Sequence, residues 1–180
     1  MIFDAEPWDY LAADLAIDLE HPLVQATASA LRTGDDIAYA KAAFEHVRDE
    51  VEHNLDVRDP RVTWRASDVL EQRVGLCYAQ AHALVALLRA GGIQAGLCYQ
   101  PFDVLHGLAA ALIDDRWVRL DPRGKDVEFS AAEDRLAFPG TPVHPVVYAA
   151  PHSVVLRALQ THTDALVLAE TALPTSAVLN

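Results

Sequence analysis

The segment Cys77–Ala90 constrains the fold of this chain more than any other stretch. All but three of its residues are apolar or tyrosine, and a helix that is apolar on every face has to be buried in a protein interior. The double glycine Gly91-Gly92 follows directly and marks the helix end, because glycine adopts the backbone angles of a helix C-terminus without strain. We therefore expect a central helix around which the other elements pack.

Strand-like segments follow the double glycine. Apolar, β-branched and aromatic residues dominate 93–100, 106–113 and 116–121, which is typical of strands. Asp114 and Asp115 separate the last two segments, and aspartate tolerates the positive φ angles of a two-residue hairpin turn. With helical segments before the central helix and a hairpin after it, the predicted fold class is α+β, with helices packed on an antiparallel β-sheet.

Periodicity also predicts the smaller elements. Pro22 is a favourable first residue for a helix over 22–31, a second helix opens at Asp35 or Asp36, and Ser67 is a suitable cap for a short third helix. Beyond Asp121 the chain is expected to be irregular, with a strand at 146–149, a helix over 153–161 and frayed last turns. The second helix should bury one stripe of residues spaced by three and four: Ile37, Ala40, Phe44, Val47, Val51 and Leu55.

Charge and cysteine content exclude several classes of protein. A formal net charge of −12 argues against nucleic-acid binding, which requires clustered lysine and arginine. No stretch approaches the roughly 18 apolar residues of a membrane span, and the acidic start of the chain does not resemble a signal peptide, so we expect a cytoplasmic protein. Two cysteines, Cys77 and Cys98, cannot form a disulfide framework and should remain free thiols.

Cys77 is placed where a thiol becomes reactive. The thiolate is the nucleophilic form of cysteine, and a helix N-terminus lowers the pKa of the thiol. Gly75 precedes Cys77 by two residues and allows a sharp turn and close approach of a substrate. The Cys77 N–H at the helix start is also free to donate to the oxyanion of an acyl-transfer intermediate. The alternative interpretation of Cys77 is a buried structural thiol. Cys98, which lies in an apolar strand, is interpreted as such a core residue.

Hairpin geometry predicts that His106 and Asp121 meet. If Asp114 and Asp115 form the turn, His106 lies opposite Arg123, and Asp121 is two residues away on the same face of the sheet. Their Cβ atoms are then diagonal neighbours, roughly 5 to 8 Å apart. Asp121 can therefore orient the imidazole while its other ring nitrogen faces Cys77.

The stretches VGLCYAQAHALVALLRAGGIQA and HGLAAALIDDRWVRLDPRG resemble the core of the transglutaminase-like superfamily. The pattern is Gly-x-Cys opening a helix, Arg-x-x-Gly-Ile near its end, histidine on one strand and aspartate on the next. It covers roughly residues 65–124 and falls on Cys77, His106 and Asp121 as a catalytic triad. The resemblance implies a papain-like fold and acyl transfer from an amide, as in protein crosslinking, peptide hydrolysis or deamidation. The most similar branch consists of small stand-alone bacterial proteins without calcium sites.

The chain departs from the family pattern at two places, and one part of the site stays open. His106-Gly107-Leu108 stands where many members have His-Ala-Trp, which removes an aromatic side chain, and Gln94 replaces a common proline. Both Gln72 and Trp64 are candidates for the side-chain donor of the oxyanion hole.

The remaining polar residues have ordinary interpretations. His46 and His53, spaced as if on one helix face, are interpreted as solvated, since two histidines alone do not make a zinc site. His82 is turned away from Cys77 and should be packed or partly exposed. Arg123 either holds a substrate carboxylate or pairs with one of the many acidic residues.

We expect a single domain over 1–180, because the chain has one domain's length and no repeat or long linker. Its parts are a helical N-terminal region (1–62), a catalytic core (63–125), and a C-terminal strand and helix (126–180). The predicted activity is that of a cysteine protease, amidase or acyltransferase acting on a peptide or small amide, without metal or cofactor. The alternative is a catalytically inactive peptide-binding module of the same fold. Substrate, acyl acceptor and oligomeric state are left open.

Overall fold

The computed structural model describes residues 1–179, and its helices surround the predicted central one. In chain order they are a 3-10 turn (Pro7–Leu11), α1 (Pro22–Leu31), α2 (Asp36–Glu50), α3 (Asn54–Val57), α4 (Ala66–Gln72), α5 (Cys77–Ala90), α6 (Ser153–Thr161), α7 (Ala165–Thr171) and a final 3-10 turn (Ser176–Leu179). The central helix α5 has the predicted limits. It packs against α1, α2 and α4 and against the sheet.

The strands form one three-stranded sheet and two small parallel pairs. They are β1 (Ile2–Phe3), β2 (Glu52–His53), β3 (Val74–Gly75), β4 (Ala95–Pro101), β5 (Leu105–Ile113), β6 (Arg116–Leu120) and β7 (Val146–Val147). The antiparallel sheet has the order β4-β5-β6, while β1 pairs with β7 and β2 pairs with β3. The fold is therefore α+β, as the sequence predicts.

The hairpin between β5 and β6 has the predicted turn and register. Asp114 and Asp115 have φ angles of 50° and 58°, as a type I′ turn requires at both central residues. Leu112 lies opposite Trp117. The ladder ends at Leu120, so Asp121 is the first residue after β6.

A buried arginine ties the end of α5 to three other segments. Only 4% of Arg89 is exposed. Its guanidinium donates from Nε and Nη2 to the carbonyl of Ala95 at 2.9 and 2.8 Å, from Nη1 to Ala12, and from Nη2 to Ala149 at 2.6 Å. Burial lowers the pKa of Arg89 to about 10, so the side chain still carries its charge at neutral pH. It therefore stabilises the approach of the N-terminal segment, β4 and the segment after β7.

Replacing Arg89 with methionine should destabilise the protein strongly. The substitution removes the charge-assisted donors of the Ala12, Ala95 and Ala149 carbonyls, of which Ala95 is buried, so we expect the free energy of unfolding to fall by about 3 kcal/mol or more. Urea denaturation followed by circular dichroism measures the loss. Arg73→Met is the control, because its side chain is 68% exposed and pairs with Glu50 at the surface; it should cost less than about 1 kcal/mol. Equal stability of the two variants would contradict the structural role of Arg89.

The predicted apolar stripe of α2 is wrong at both ends. Ile37 is 39% exposed and Leu55 is 44% exposed, whereas Tyr39 and Ala43 are buried in their place. Because α2 ends at Glu50 and the chain turns into β2, Leu55 lies on the separate helix α3. Helical periodicity therefore does not continue through it.

The cap predicted for α4 is also wrong. Arg65 is the N-cap residue of α4, without a side-chain cap, and Ser67 lies inside the first turn. The Ser67 N–H and hydroxyl both donate to the carboxylate of Asp18. A carboxylate distant in sequence therefore performs the capping that was assigned to the serine.

The C-terminal region is more ordered than the sequence indicates. Helix α6 has the predicted limits, and β7 is a two-residue strand within the predicted 146–149. The last turns do not fray as expected: α7 and the final 3-10 turn form, and Val178 and Leu179 pack against the apolar cluster of Leu76, Tyr78 and Leu105. Within residues 1–179 every helix is too short or too polar to cross a membrane.

Candidate active site

Cys77 is the first residue of α5 and faces the start of β5. Its sulfur accepts a hydrogen bond from the Gly107 N–H at 3.4 Å, and the residue is partly exposed, whereas Cys98 is buried. Gly107 is required for this approach, because a Cβ there would lie 2.6 Å from Cδ1 and 3.1 Å from Cα of Tyr78. The glycine that departs from the family pattern thus lets strand and helix meet closely beside the thiol.

His106 and Asp121 form the contact that the hairpin geometry predicts. His106 Nε2 lies 2.8 Å from Asp121 Oδ2. The carboxylate is fully buried and also accepts from the backbone N–H groups of Ala137 at 2.9 Å and Arg123 at 3.2 Å. With Nε2 bonded to Asp121, Nδ1 is the ring nitrogen left to face Cys77. Backbone donors thus hold the carboxylate, and the carboxylate orients the imidazole.

The electrostatics of the site favour a thiolate beside an imidazolium. Burial alone would raise the pKa of Cys77, but attraction to the His106 imidazolium and hydrogen bonds from His106 and His53 lower that pKa to about 6. For His106, burial alone would lower the pKa, but the Cys77 thiolate and Asp121 raise it to about 10. Between these two values the proton belongs to the imidazole and the negative charge to the sulfur.

His53 is the site residue that the sequence did not reveal. It is only 6% exposed, it lines the same cavity as Cys77, and its hydrogen bond helps to lower the pKa of the thiol. The interpretation as a solvated histidine on one helix face with His46 is wrong, because α2 ends before His53. The residue lies instead on β2, paired with Gly75 of β3, and no local pattern indicates that pairing.

The two predicted candidates for a side-chain oxyanion donor lie outside the cavity lining. Gln72 is the last residue of α4. Trp64 packs against the cluster around Leu76, and Arg65 covers its ring at 4.1 Å. His82 is packed, as predicted, with Nδ1 2.8 Å from the Trp64 carbonyl oxygen.

The thiol opens into a cavity of about 260 Å³. Arg123 is part of its wall and makes two hydrogen bonds to the Asp56 carboxylate, at 2.8 and 2.9 Å. Arg123 therefore pairs with an acidic residue, which is one of the two roles predicted for it. The cavity is lined by His53, Leu55, Leu76, Cys77, Tyr78, Phe102, Val104, Leu105, His106, Arg123, Phe138 and Leu173.

Comparisons with known proteins agree with the fold. A protein from Cytophaga hutchinsonii, a candidate cysteine protease, superposes with a TM-score of 0.56 and 20% identity over 66% of this chain and 43% of that one. The periplasmic domain of TgpA from Pseudomonas aeruginosa, solved with ethylmercury, superposes with a TM-score of 0.53 and 22% identity over 64% of this chain and 48% of that one. The chain thus spans less than half the length of either solved chain.

Sequence comparison identifies the family. No curated protein sequence matches this one. The sequence profile of the transglutaminase-like superfamily matches residues 25–122, which is more than half of the 180 residues and includes Cys77, His106 and Asp121. The chain belongs to the transglutaminase-like superfamily.

Proposed function

We propose that this protein is a thiol enzyme that transfers the acyl group of a peptide or small amide through Cys77, His106 and Asp121, with water as the default acceptor. The observation that supports this most directly is the contact of His106 Nε2 with the buried Asp121 carboxylate at 2.8 Å, which leaves Nδ1 to face Cys77 at the start of α5. The lowered pKa of the thiol and the raised pKa of the imidazole agree with this geometry. A purely structural buried thiol would have a raised pKa, as Cys98 does at about 12.

The proposed reaction has two steps. The Cys77 thiolate attacks the carbonyl carbon, and the tetrahedral intermediate collapses as the His106 imidazolium gives its proton to the leaving amine. A thioester remains on Cys77. Water then attacks the thioester carbon, His106 takes its proton, and the acid is released as the thiolate forms again. Asp121 keeps the ring oriented through both steps and stabilises the imidazolium.

The oxyanion of both intermediates would be bound by the Cys77 N–H and by His53. The Cys77 N–H lies in the first turn of α5, where backbone donors have no intrahelical acceptor. Nδ1 of His53 accepts the Leu55 N–H at 3.4 Å, so the ring proton is carried on Nε2, the nitrogen left to act as a donor. His53 therefore takes the part for which Gln72 and Trp64 were candidates.

The pH dependence of thiol alkylation tests the proposal. The lowered pKa of Cys77 means that the thiolate forms as the pH rises through about 6. The rate of alkylation by iodoacetamide should therefore rise with a midpoint near pH 6, instead of the roughly 8.5 of an ordinary cysteine. Amide hydrolysis should rise over the same range and fall near pH 10, where His106 loses its proton.

The alkylation rate is measured on the Cys98→Ala variant, in which Cys77 is the one remaining cysteine. Alkylation of the unfolded protein in urea provides the reference curve for an unperturbed thiol. A midpoint at or above 8.5 in the folded protein would contradict the proposed enzyme and would favour the inactive peptide-binding module.

A further inference from the structure

The cavity in front of Cys77 has apolar walls that are left exposed. Phe102, Val104 and Phe138 are 36%, 39% and 44% exposed, and all three line the cavity. The Phe102 and Phe138 rings meet edge to face with centroids 5.4 Å apart, and Phe138 meets the His106 ring in the same way at 5.0 Å. An aromatic pair thus stands directly beside the imidazole, although the family's usual aromatic residue after the histidine is missing.

The same walls offer little to a charged group. Among the described residues that line the cavity, Arg123 is the only one with a permanent charge. Its Nη1 and Nη2 atoms both donate hydrogen bonds to the Asp56 carboxylate. A charged or amide side chain packed against Phe102, Val104 and Phe138 would lose hydration without gaining a polar partner from these three side chains, which is unfavourable. An apolar side chain would bury its own surface together with that of the exposed wall, which is favourable.

We propose that the acyl part of the substrate is a peptide segment with bulky apolar side chains next to the bond that is cleaved, aromatic or branched aliphatic. This rests on the proposed function of Cys77. The carboxamide of a glutamine side chain is disfavoured as acyl donor, because the apolar side chains of Phe102, Val104 and Phe138 in the cavity wall offer it no hydrogen-bond partner. The cavity is therefore a subsite for apolar side chains of a polypeptide.

Affinity labels of matched chemistry test the subsite. In N-acetyl dipeptidyl chloromethyl ketones the Cys77 thiolate displaces chloride and forms a thioether, whatever side chains the dipeptide carries. Labels with phenylalanine or leucine at both positions should react at least about tenfold faster than labels with glutamine, aspartate or lysine, each normalised to its rate with a small free thiol. Equal rates, or faster reaction of the glutamine label, would overturn the inference.

A charge placed in the wall should reverse the preference. Val104→Glu should slow the phenylalanine label about tenfold or more and speed up the lysine label, because the new carboxylate attracts a cation and disfavours apolar contact. Val154→Glu is the matched control, since Val154 is 40% exposed, lies on α6, and is outside the cavity lining; its label preferences should equal those of the wild type. Unchanged preferences in Val104→Glu would contradict the assignment of the wall.

A binding measurement separates failure of the subsite from failure of the enzyme. The Cys77→Ala variant is titrated with N-acetyl dipeptide amides, and the ring signals of Phe102 and Phe138 are followed by NMR. The phenylalanine and leucine peptides should shift these signals at concentrations at least about tenfold lower than the aspartate and lysine peptides. Absence of this preference overturns the subsite even if the thiol is reactive. Its presence supports the subsite even if the wild type fails to hydrolyse amides.

Discussion

Cys77→Ala is expected to abolish both alkylation by iodoacetamide at neutral pH and hydrolysis of amides. Removal of the nucleophile leaves no group to form the thioester, so kcat/KM should fall by more than about 10³-fold. Mass spectrometry after a short exposure to the alkylator measures the first effect, and a fluorogenic peptide amide with apolar side chains measures the second. The substitution removes one sulfur from a partly exposed position, so the fold should persist, as circular dichroism will show.

Cys98→Ala is the control for this prediction. Cys98 is fully buried, and burial raises its pKa to about 12, so it contributes almost no thiolate at neutral pH. Labelling and hydrolysis should both remain. If Cys98→Ala removes the label, or if Cys77→Ala keeps it, the assignment of the nucleophile is wrong.

The second large effect is expected at His53. His53→Phe keeps an aromatic ring of similar size but removes the donor proposed for the oxyanion, so kcat should fall by about 10²- to 10³-fold. KM should change little, because the oxyanion exists only after attack on the carbonyl. The pKa of Cys77 should also rise, since a hydrogen bond from His53 helps to lower it. Steady-state kinetics and the pH dependence of alkylation measure these three quantities.

Two variants show whether the effect is specific to that donor. His53→Gln places an amide N–H near the former Nε2 and should recover part of the lost kcat. His46→Phe, on α2 seven residues earlier, should leave kcat within a few-fold of the wild type. If His53→Phe retains full activity, or if His53→Gln is as impaired as His53→Phe, the role in the oxyanion hole is wrong.

Much of the site could be predicted because its signals are local. The limits of α5 follow from a run of apolar residues closed by glycines, and the hairpin follows from two aspartates that accept positive φ angles. In a strand, side chains alternate between faces, so the turn alone determines which residues share a face with His106. The meeting of His106 with Asp121 could be predicted for that reason, even though the ladder stops one residue before Asp121.

Exposed apolar residues are the part of the structure that sequence periodicity predicts wrongly. Ile37 and Leu55 fit the periodicity of α2, yet both are exposed. Leu55 falls off the predicted face because the chain leaves α2 at Glu50 to form β2. Leu55 then lines the cavity. An apolar residue fits the same sequence pattern whether it packs in the core or lines an exposed cavity wall. Only the surrounding structure distinguishes the two cases.

By itself the sequence determined the buried helix with Cys77 at its start, the hairpin, and the face shared by His106 and Asp121. Only the tertiary structure decided that His53 faces the thiol, that Arg123 is neutralised by Asp56, and that Phe102 and Phe138 stand beside the imidazole. The physical reason is the range of the interactions. Helix limits, turns and strand parity depend on neighbouring residues, whereas the pairing of His53 with Gly75 and the approach of Phe138 to His106 join segments that are distant along the chain.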